Sequence, residues 1–142
     1  MNDQALKERQ RPETLRLRQI MPSLTVGDIE ASIRWYTDVL GWTLDERHEH
    51  EGRVMAASVK AGAASIVLAQ DDRAQGRERD KGVGFRIYCS TVQDVDQLAA
   101  DVRARGGTLA SEPTDQPWGA RDFAVVDPDG FKITIASDGS AG

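Results

Sequence analysis

The stretch that decides the fold runs from Pro117 to Ala136 and reads PWGARDFAVVDPDGFKITIA. It predicts a loop, a strand over Arg121–Val126, a tight turn, and a second strand over Phe131–Ala136. The turn Asp127-Pro128-Asp129-Gly130 suits type I, since Asp is favoured at its first position, Pro fixes φ at its second and Gly is favoured at its fourth. The stretch therefore predicts a β-hairpin, with Trp118 and Arg121 flanking Gly119 at its entrance.

This hairpin ends a unit that occurs twice. Val26-Gly27-Asp28-Ile29-Glu30 aligns with Val92-Gln93-Asp94-Val95-Asp96 at an offset of 66 positions, and the same offset carries Gly41 onto Gly107. In each copy an Asp at the helix N-cap follows an apolar strand, and Gly ends the helix at Gly41 and at Gly106-Gly107. The strands are Ile20–Val26 and Val83–Val92; the helices carry the apolar stripes Ile29, Ile33, Tyr36, Leu40 and Val95, Leu98 or Ala99, Val102.

Three short strand-like runs follow each helix. They are Thr43–Glu49, Val54–Lys60 and Ala63–Gln70 in the first half, and Thr108–Glu112, Arg121–Val126 and Phe131–Ala136 in the second. The prediction is an α+β fold of two tandem βαβββ modules, over residues 19–70 and 82–137, whose sheets enclose a concave cavity. The charged segment Asp71–Lys81 is predicted to be a mobile surface linker, residues 1–18 an N-terminal arm, and residues 138–142 a C-terminal tail.

The repeat and its closing hairpin resemble the vicinal-oxygen-chelate superfamily of glyoxalases, extradiol dioxygenases and bleomycin-resistance proteins. The sequence of the hairpin most resembles that of the bleomycin-resistance-like members. The resemblance covers residues 19–137 and implies curved mixed sheets around a concave cavity. It also implies a homodimer, because the cavities of the bleomycin-resistance proteins lie between two chains.

Composition excludes several classes of partner. The chain has 142 residues, a formal net charge of −5 and a pI near 5.0, which argue against nucleic acid or an anionic membrane as partner. The arm lacks the apolar run of a signal peptide, and no stretch approaches membrane-spanning length. The one cysteine, Cys89, fits a small buried apolar residue in a reducing compartment, so we expect a cytoplasmic protein.

The family's metal-ligand positions carry no metal ligands in this chain. In the metalloenzymes of the superfamily, His and Glu side chains hold a divalent ion; the corresponding positions are Met21, Leu68, Ile87 and Thr134. A second register of the third strand would instead turn Arg86 and Tyr88 inward. Neither register supplies an imidazole or a carboxylate, so we expect no metal and no cofactor. The chain's two histidines, His48 and His50, are a second candidate metal site. Their charged surroundings favour the alternative, a solvated strand end.

The remaining candidates suit a binding site for an aromatic or cationic small molecule. Trp118 and Arg121 are the first choice for ligand contact. The alternative role is packing between modules or subunits for Trp118 and ion pairing for Arg121. The other candidates are Phe123, Tyr88, Arg86, Met55, Leu68 and Trp42, with Met55 and Leu68 expected on an apolar floor. The competing prediction is a metal-independent lyase or isomerase of unknown substrate that uses Glu46, His48 or Tyr88. A regulatory module that binds a metabolite without turnover is a third possibility.

Overall fold

The computed structural model describes residues 15–74, 76 and 80–137. Most of the predicted arm and the whole C-terminal tail lie outside the described residues, as do four positions of the predicted linker.

The described chain folds into two βαβββ modules, which confirms the prediction of an α+β fold with an internal repeat. The first module forms a sheet of order β1-β4-β3-β2, and the second a sheet of order β5-β8-β7-β6. In each sheet the first strand pairs in parallel with the last, and the other pairs are antiparallel. The elements are β1 (Ser23–Val26), α1 (Ile29–Arg34) with a π-helical turn (Trp35–Val39), β2 (Thr43–His50), β3 (Arg53–Ala61), β4 (Ala64–Gln70), β5 (Arg86–Thr91), α2 (Val95–Ala104), β6 (Ser111–Asp115), β7 (Arg121–Val126) and β8 (Lys132–Ser137).

Both helices begin at the predicted Asp residues. The Asp28 side chain accepts from the backbone N–H of Ala31, and the Asp94 side chain accepts from those of Asp96 and Gln97. The first helix departs from prediction in its second half, where Trp35–Val39 widens into a π-helix. Gly41 follows it with a φ of 87°, a left-handed conformation that favours glycine.

Three strands begin three residues later than predicted, whereas β2, β3, β4 and β8 differ by one residue at one or both ends and β7 keeps its predicted bounds. β1 begins at Ser23 instead of Ile20 because pairing with β4 starts at Ser23 opposite Val67. β5 begins at Arg86 instead of Val83, opposite Lys132. β6 lies at Ser111–Asp115 instead of Thr108–Glu112, and its pairing is irregular between Ser111 and Thr114. Pro113 lies within this interval and has no N–H for the ladder, which an edge strand tolerates.

The core lies on the helix-facing side of each sheet. In the first sheet Leu24, Leu68 and Ala57 are in register and all buried. Phe123 and Ile133 occupy the same side of the second sheet, and the buried apolar residues of both modules form one continuous cluster. Leu68 is therefore not on an inward-facing cavity floor, as the sequence predicted, because its strand register turns it toward the helix.

The ends of the predicted linker are anchored. The Lys81 ammonium lies 3.3 Å from an Asp71 carboxylate oxygen, and the two side chains are only 7 % and 3 % exposed. The backbone N–H of Asp71 also donates to the carbonyl of Val26. The side chains of the two end residues of Asp71–Lys81 are therefore buried and paired, whereas the sequence predicted a mobile surface connection. Among the described helices, none is long and apolar enough to cross a membrane.

Candidate functional site

The side of the second sheet that faces away from α2 carries two of the polar candidates, Arg86 and Tyr88. Arg121 on β7 pairs with Asp96 of α2, which places Arg121 and its alternate neighbour Phe123 on the helix side. The next residue of β7, Ala124, points to the helix-free side. Ala124 is paired with Thr134 of β8, and Thr134 is in turn paired with Tyr88 of β5, so all three lie on that side. The structure therefore settles the open register of β5: Arg86 and Tyr88 share the helix-free face with Thr134, whereas Ile87 and Cys89 face the core.

The residues at the family's metal positions do not fit a divalent metal. Thr134 has Tyr88 beside it instead of Ile87, and on β4 the helix-free residue is Val67 instead of Leu68. Met21 precedes β1. A thioether, an aliphatic side chain, a phenol and a hydroxyl offer no imidazole or carboxylate. Within the described ranges, no three His, Cys, Asp or Glu side chains are grouped so that they could hold an ion.

His48 and His50 lie on β2, an edge strand with exposed side chains. The His48 Nε2 is 3.3 Å from a Glu46 carboxylate oxygen, and the His50 Nε2 is 3.8 Å from one of Glu51. Each histidine thus has its own neighbouring carboxylate at the surface, which is the arrangement of a solvated strand end.

Arg86, Lys132 and Tyr88 form what we call the cationic face of the second sheet. Arg86 lies directly opposite Lys132 in the ladder, and Tyr88 is 57 % exposed one pleat further along. Like charges placed opposite each other on adjacent strands destabilise a sheet. Among the described residues neither cation is in an ion pair. The face therefore presents two uncompensated positive charges and an aromatic ring.

The other predicted ligand residues are dispersed. Arg121 is held by Asp96, with nitrogen–oxygen distances of 2.8 and 2.9 Å, and by Asp115 at 3.1 Å. These hydrogen bonds, first of all those with Asp96, raise the pKa of Arg121, and the Arg121 hydrogen bond lowers the pKa of Asp96. Trp118 lies in the β6–β7 turn and is 67 % exposed, and Met55 is exposed on β3. The structure thus does not bring Trp118, Arg121, Phe123, Met55 and Leu68 together with the cationic face.

The turn Asp127–Gly130 holds the two modules together. Its β-turn hydrogen bond, from the N–H of Gly130 to the carbonyl of Asp127, confirms the predicted turn at 3.0 Å. The Tyr36 hydroxyl on the first helix donates to an Asp127 carboxylate oxygen at 2.8 Å. Asp129 accepts from the N–H of Gly27 at 2.9 Å and from the Ser32 hydroxyl at 3.4 Å. We call this contact, between the first helix and the five-residue β7–β8 turn, the clamped junction.

Burial sets the electrostatics of the clamped junction. Asp127 is only 4 % exposed, and burial raises its pKa although the N–H of Phe131, the Tyr36 hydroxyl and the N–H of Asp129 all donate to its carboxylate. Burial, followed by the nearby Asp127 charge, raises the pKa of Tyr36. Neither group faces solvent, so the pair joins the modules and contacts no ligand.

The repeat places a second junction on the other side of the molecule, between α2 and the β3–β4 turn. We call it the open junction. The β3–β4 turn closes at the pair Ala61–Ala64 and contains only Gly62 and Ala63, whereas the β7–β8 turn contains five residues. A cavity of about 620 Å³ separates the short turn from α2. Its walls include Trp42, Cys89, Leu98, Phe123 and Ile135, and its charged lining residues are Lys60, Asp101 and Arg105.

A smaller cavity of about 310 Å³ lies between the modules where residues 19–22 approach residues 87–90 of β5. Met21, Tyr88 and Trp42 line it, and Trp42 also lines the larger cavity. Trp42 and Phe123 are thus the predicted ligand residues that the structure places at the open junction, and Tyr88 and Trp42 those at the smaller cavity.

Sequence reasoning missed the polar residues of both junctions. The periodicity places Tyr36 on the apolar stripe of its helix, although a phenol there signals a buried polar partner. Asp127 and Asp129 have an ordinary role in the turn, which hides their contacts with the first module. Asp101 and Arg105 give no local signal, because charged residues on a surface helix are ordinary.

Comparison with known proteins places the fold in a family. Residues 16–135 match the family model described as "Glyoxalase/Bleomycin resistance protein/Dioxygenase superfamily". The chain is 31 % identical to the bleomycin resistance protein of Geobacillus stearothermophilus, covering 82 % of this chain and 94 % of that protein. It is 30 % identical to the lactoylglutathione lyase GLX1 of Arabidopsis thaliana, covering 80 % of this chain but spanning only 42 % of that protein.

A similar solved structure is that of TnmS3, an antibiotic binding protein from Streptomyces sp. CB03234. It has a TM-score of 0.68 at 22 % identity, and the match covers 87 % of this chain and 98 % of that one. At this identity the likeness bears on the fold alone. The family model and the relatives of 30 % identity or more show that the chain belongs to the glyoxalase/bleomycin resistance protein/dioxygenase superfamily.

Proposed function

We propose that this protein binds a small aromatic molecule, without a metal, on the cationic face of its second sheet. The observation that carries the proposal is the exposed Tyr88 ring beside Arg86 and Lys132, two cations that have no acidic partner among the described residues. A bound ligand would cover the ring and supply the missing counter-charge. The bleomycin resistance relatives and the antibiotic binding protein of similar fold support a binding function of this kind.

Of the two ligand classes predicted from sequence, the described side chains favour the aromatic one. Arg86 and Lys132 would repel a cationic ligand at short range, and this local effect outweighs the net charge of −5 that is spread over the whole chain. An aromatic ligand with an acidic or phenolic group is therefore expected to bind more tightly than its cationic analogue.

A thermal-shift screen tests the proposal, with bleomycin, planar aromatic antibiotics and divalent metal salts as the panel. A ligand that binds only the native state stabilises it by about 2.7 kcal/mol at a hundred times its dissociation constant. We expect at least one aromatic compound to raise the melting temperature, and zinc and manganese salts to leave it unchanged. A shift with metals alone would overturn the proposal.

Variants then locate the ligand. Tyr88→Ala is expected to weaken any aromatic hit by roughly tenfold, the loss expected for one stacking contact, while Tyr88→Phe keeps most of the affinity. Val83→Ala, an exposed apolar change just before β5, is the matched control. Equal losses in Tyr88→Ala and Val83→Ala would place the ligand elsewhere.

We keep Trp118 as a proposed ligand contact that is separate from the cationic face, because its indole is 67 % exposed in the β6–β7 turn. Trp118→Ala is expected to weaken a hit more than Trp35→Ala, since Trp35 packs edge-on against Tyr36 at a ring distance of 4.8 Å. Titration of both variants with the same hit gives the comparison. If the two affinities fall equally, Trp118 is not a ligand contact.

We also propose a homodimer in the cytoplasm. The exposed Val126 lies opposite Lys132 on the helix-free face of the second sheet, so a second chain packed on Val126 would enclose a ligand bound at Tyr88. Cys89, the chain's only cysteine, suits a reducing compartment. Light scattering coupled to size-exclusion chromatography tests the dimer, and a monomer at all concentrations would exclude it.

The alternative function is catalysis, favoured by the match to lactoylglutathione lyases. An assay for lactoylglutathione lyase activity, with and without added divalent metal, decides between the two. Activity that is lost in Tyr88→Phe would assign the phenol a catalytic role and replace the binding proposal.

A further inference from the structure

We infer that the open junction is a second binding site, distinct from the cationic face, which takes a small aromatic carboxylate. The repeat makes the two junctions equivalent, but protein atoms fill only the clamped junction and leave a cavity at the open one. At the clamped junction the five-residue turn fills the space against the first helix and hydrogen-bonds to it. At the open junction the two-residue turn leaves about 620 Å³ against α2.

The size and lining of this cavity suit a small ligand. Ligand cavities in proteins are commonly about 300–1,000 Å³, largely apolar, with a few polar groups that fix orientation. Here Trp42, Leu98 and Ile135 line the cavity, and Phe123 lies behind them, fully buried in the core. An aromatic body would therefore replace the contacts that a longer turn makes at the other junction.

Charge selects the polar group of the ligand. Lys60, Asp101 and Arg105 line the cavity, so its charged residues sum to one positive charge. Lys60 lies 3.5 Å from Asp45, and Asp101 accepts from the Gln97 side chain at 2.9 Å. Arg105 uses Nε to donate to the carbonyl of Val39 at 2.9 Å, and no carboxylate among the described residues forms an ion pair with it. Its two remaining nitrogens have the fork geometry that binds a carboxylate.

The test uses three naphthalene compounds of matched shape: 2-naphthoate, 2-naphthylmethanol and 2-naphthylmethylammonium. Affinities are measured by isothermal titration calorimetry in the Tyr88→Ala protein, in which binding at the cationic face is expected to be roughly tenfold weaker. Naphthoate binding that persists in Tyr88→Ala and falls with Arg105→Ala belongs to the open junction, whereas binding lost in Tyr88→Ala belongs to the cationic face. We expect the naphthoate to bind most tightly and the ammonium compound most weakly.

Arg105→Ala in the same background is expected to weaken naphthoate roughly tenfold or more, with little effect on the neutral alcohol. Arg103→Ala is the matched control, because Arg103 lies on the same helix, pairs with Glu112 and does not line the cavity. Arg105 also contacts Val39, so Arg105→Lys is the second variant; it keeps the charge and should retain more affinity than Arg105→Ala.

The location is checked through Cys89, the chain's only cysteine, which lines this cavity and also the smaller one. Naphthoate is expected to slow its alkylation by iodoacetamide in wild type and Tyr88→Ala alike. Arg105 lines only the larger cavity, so protection of Cys89 that is lost in Arg105→Ala assigns the ligand to the open junction. The inference fails if naphthoate does not bind the Tyr88→Ala protein, if it binds no better than the ammonium compound, if Arg103→Ala costs as much as Arg105→Ala, or if bound naphthoate leaves the alkylation rate of Cys89 unchanged.

Discussion

The two module junctions differ in what fills them, although the repeat makes them equivalent. At the clamped junction a buried tyrosine, two aspartates and a close backbone approach join the modules. At the open junction small residues, Ala61, Gly62, Ala63 and Ala64, face a cavity. The repeat thus supplies the same scaffold twice. The β7–β8 turn is three residues longer than the β3–β4 turn, and this difference lets the clamped junction stabilise the fold while the open junction leaves room for a ligand. Substitutions at the clamped junction should therefore cost stability, and matched substitutions at the open junction should not.

The largest expected effect is that of Asp127→Ala. The substitution leaves the buried Tyr36 hydroxyl without its acceptor and frees the N–H groups of Asp129 and Phe131. Because buried unsatisfied donors cost about 1–3 kcal/mol each, we expect a loss of about 3 kcal/mol or more in the free energy of unfolding. Urea denaturation measures the loss.

The control at the other junction is Asp101→Ala, which should change the free energy of unfolding by less than about 0.5 kcal/mol. If Asp101→Ala costs as much as Asp127→Ala, the two junctions contribute equally to stability and the comparison is wrong.

A somewhat smaller loss is expected from Gly82→Ala. A Cβ at Gly82 would lie 2.1 Å from the carbonyl oxygen of Gly130, a backbone atom, so the turn of the clamped junction must move. Overpacking of this kind costs about 1–3 kcal/mol. Ala63→Leu adds more atoms at the open junction, where the cavity accepts them, and is expected to be neutral within about 0.5 kcal/mol. Thermal melting of both variants tests the contrast; a larger loss in Ala63→Leu would contradict it.

The smallest expected effect is a pH dependence that belongs to the clamped junction alone. Burial raises the pKa of Asp127 in the folded protein, so the folded state holds this proton more tightly than the unfolded state. The contribution of Asp127 is therefore fully present below its unfolded pKa of about 4 and is lost as the pH rises through the raised value. The physical reason is that the ionised carboxylate loses hydration when it is buried, whereas the neutral acid loses little.

Asp127→Asn removes this titration while keeping a side-chain oxygen for the turn. Relative to wild type, the variant should gain stability as the pH rises above about 4. Melting temperatures of both proteins between acid and neutral pH give the comparison. Parallel profiles would mean that Asp127 titrates alike in the folded and unfolded states.

Much of the fold was predictable because its signals are local. Asp28 and Asp94 are N-caps whose side chains bond to N–H groups two or three residues away, and the β7–β8 turn closes within four residues. The apolar stripes and alternating strands give periodicities that a short window contains. Strand ends were less predictable, since Ser23 and Arg86 begin their strands only where a distant partner strand begins.

The candidate site was less predictable because it depends on contacts that are remote in sequence. Tyr36 and Asp127 are 91 positions apart, and each alone has an ordinary local role. The sequence predicts that Arg121 contacts a ligand, but Asp96, 25 positions away, holds it on the helix side. Tyr88 and Arg86 are among the predicted residues, yet only pairing with β8 places them beside Lys132 and Thr134.

By itself the sequence determined the repeat, the caps and the hairpins, since these depend on residue type and short spacing. The tertiary structure decided which face each strand presents and how the two modules meet, because both follow from register and packing between distant segments. The hairpin around Asp127 illustrates the division. Its turn follows from four consecutive residues, but its role as the clamp between modules exists only where the first helix packs against it.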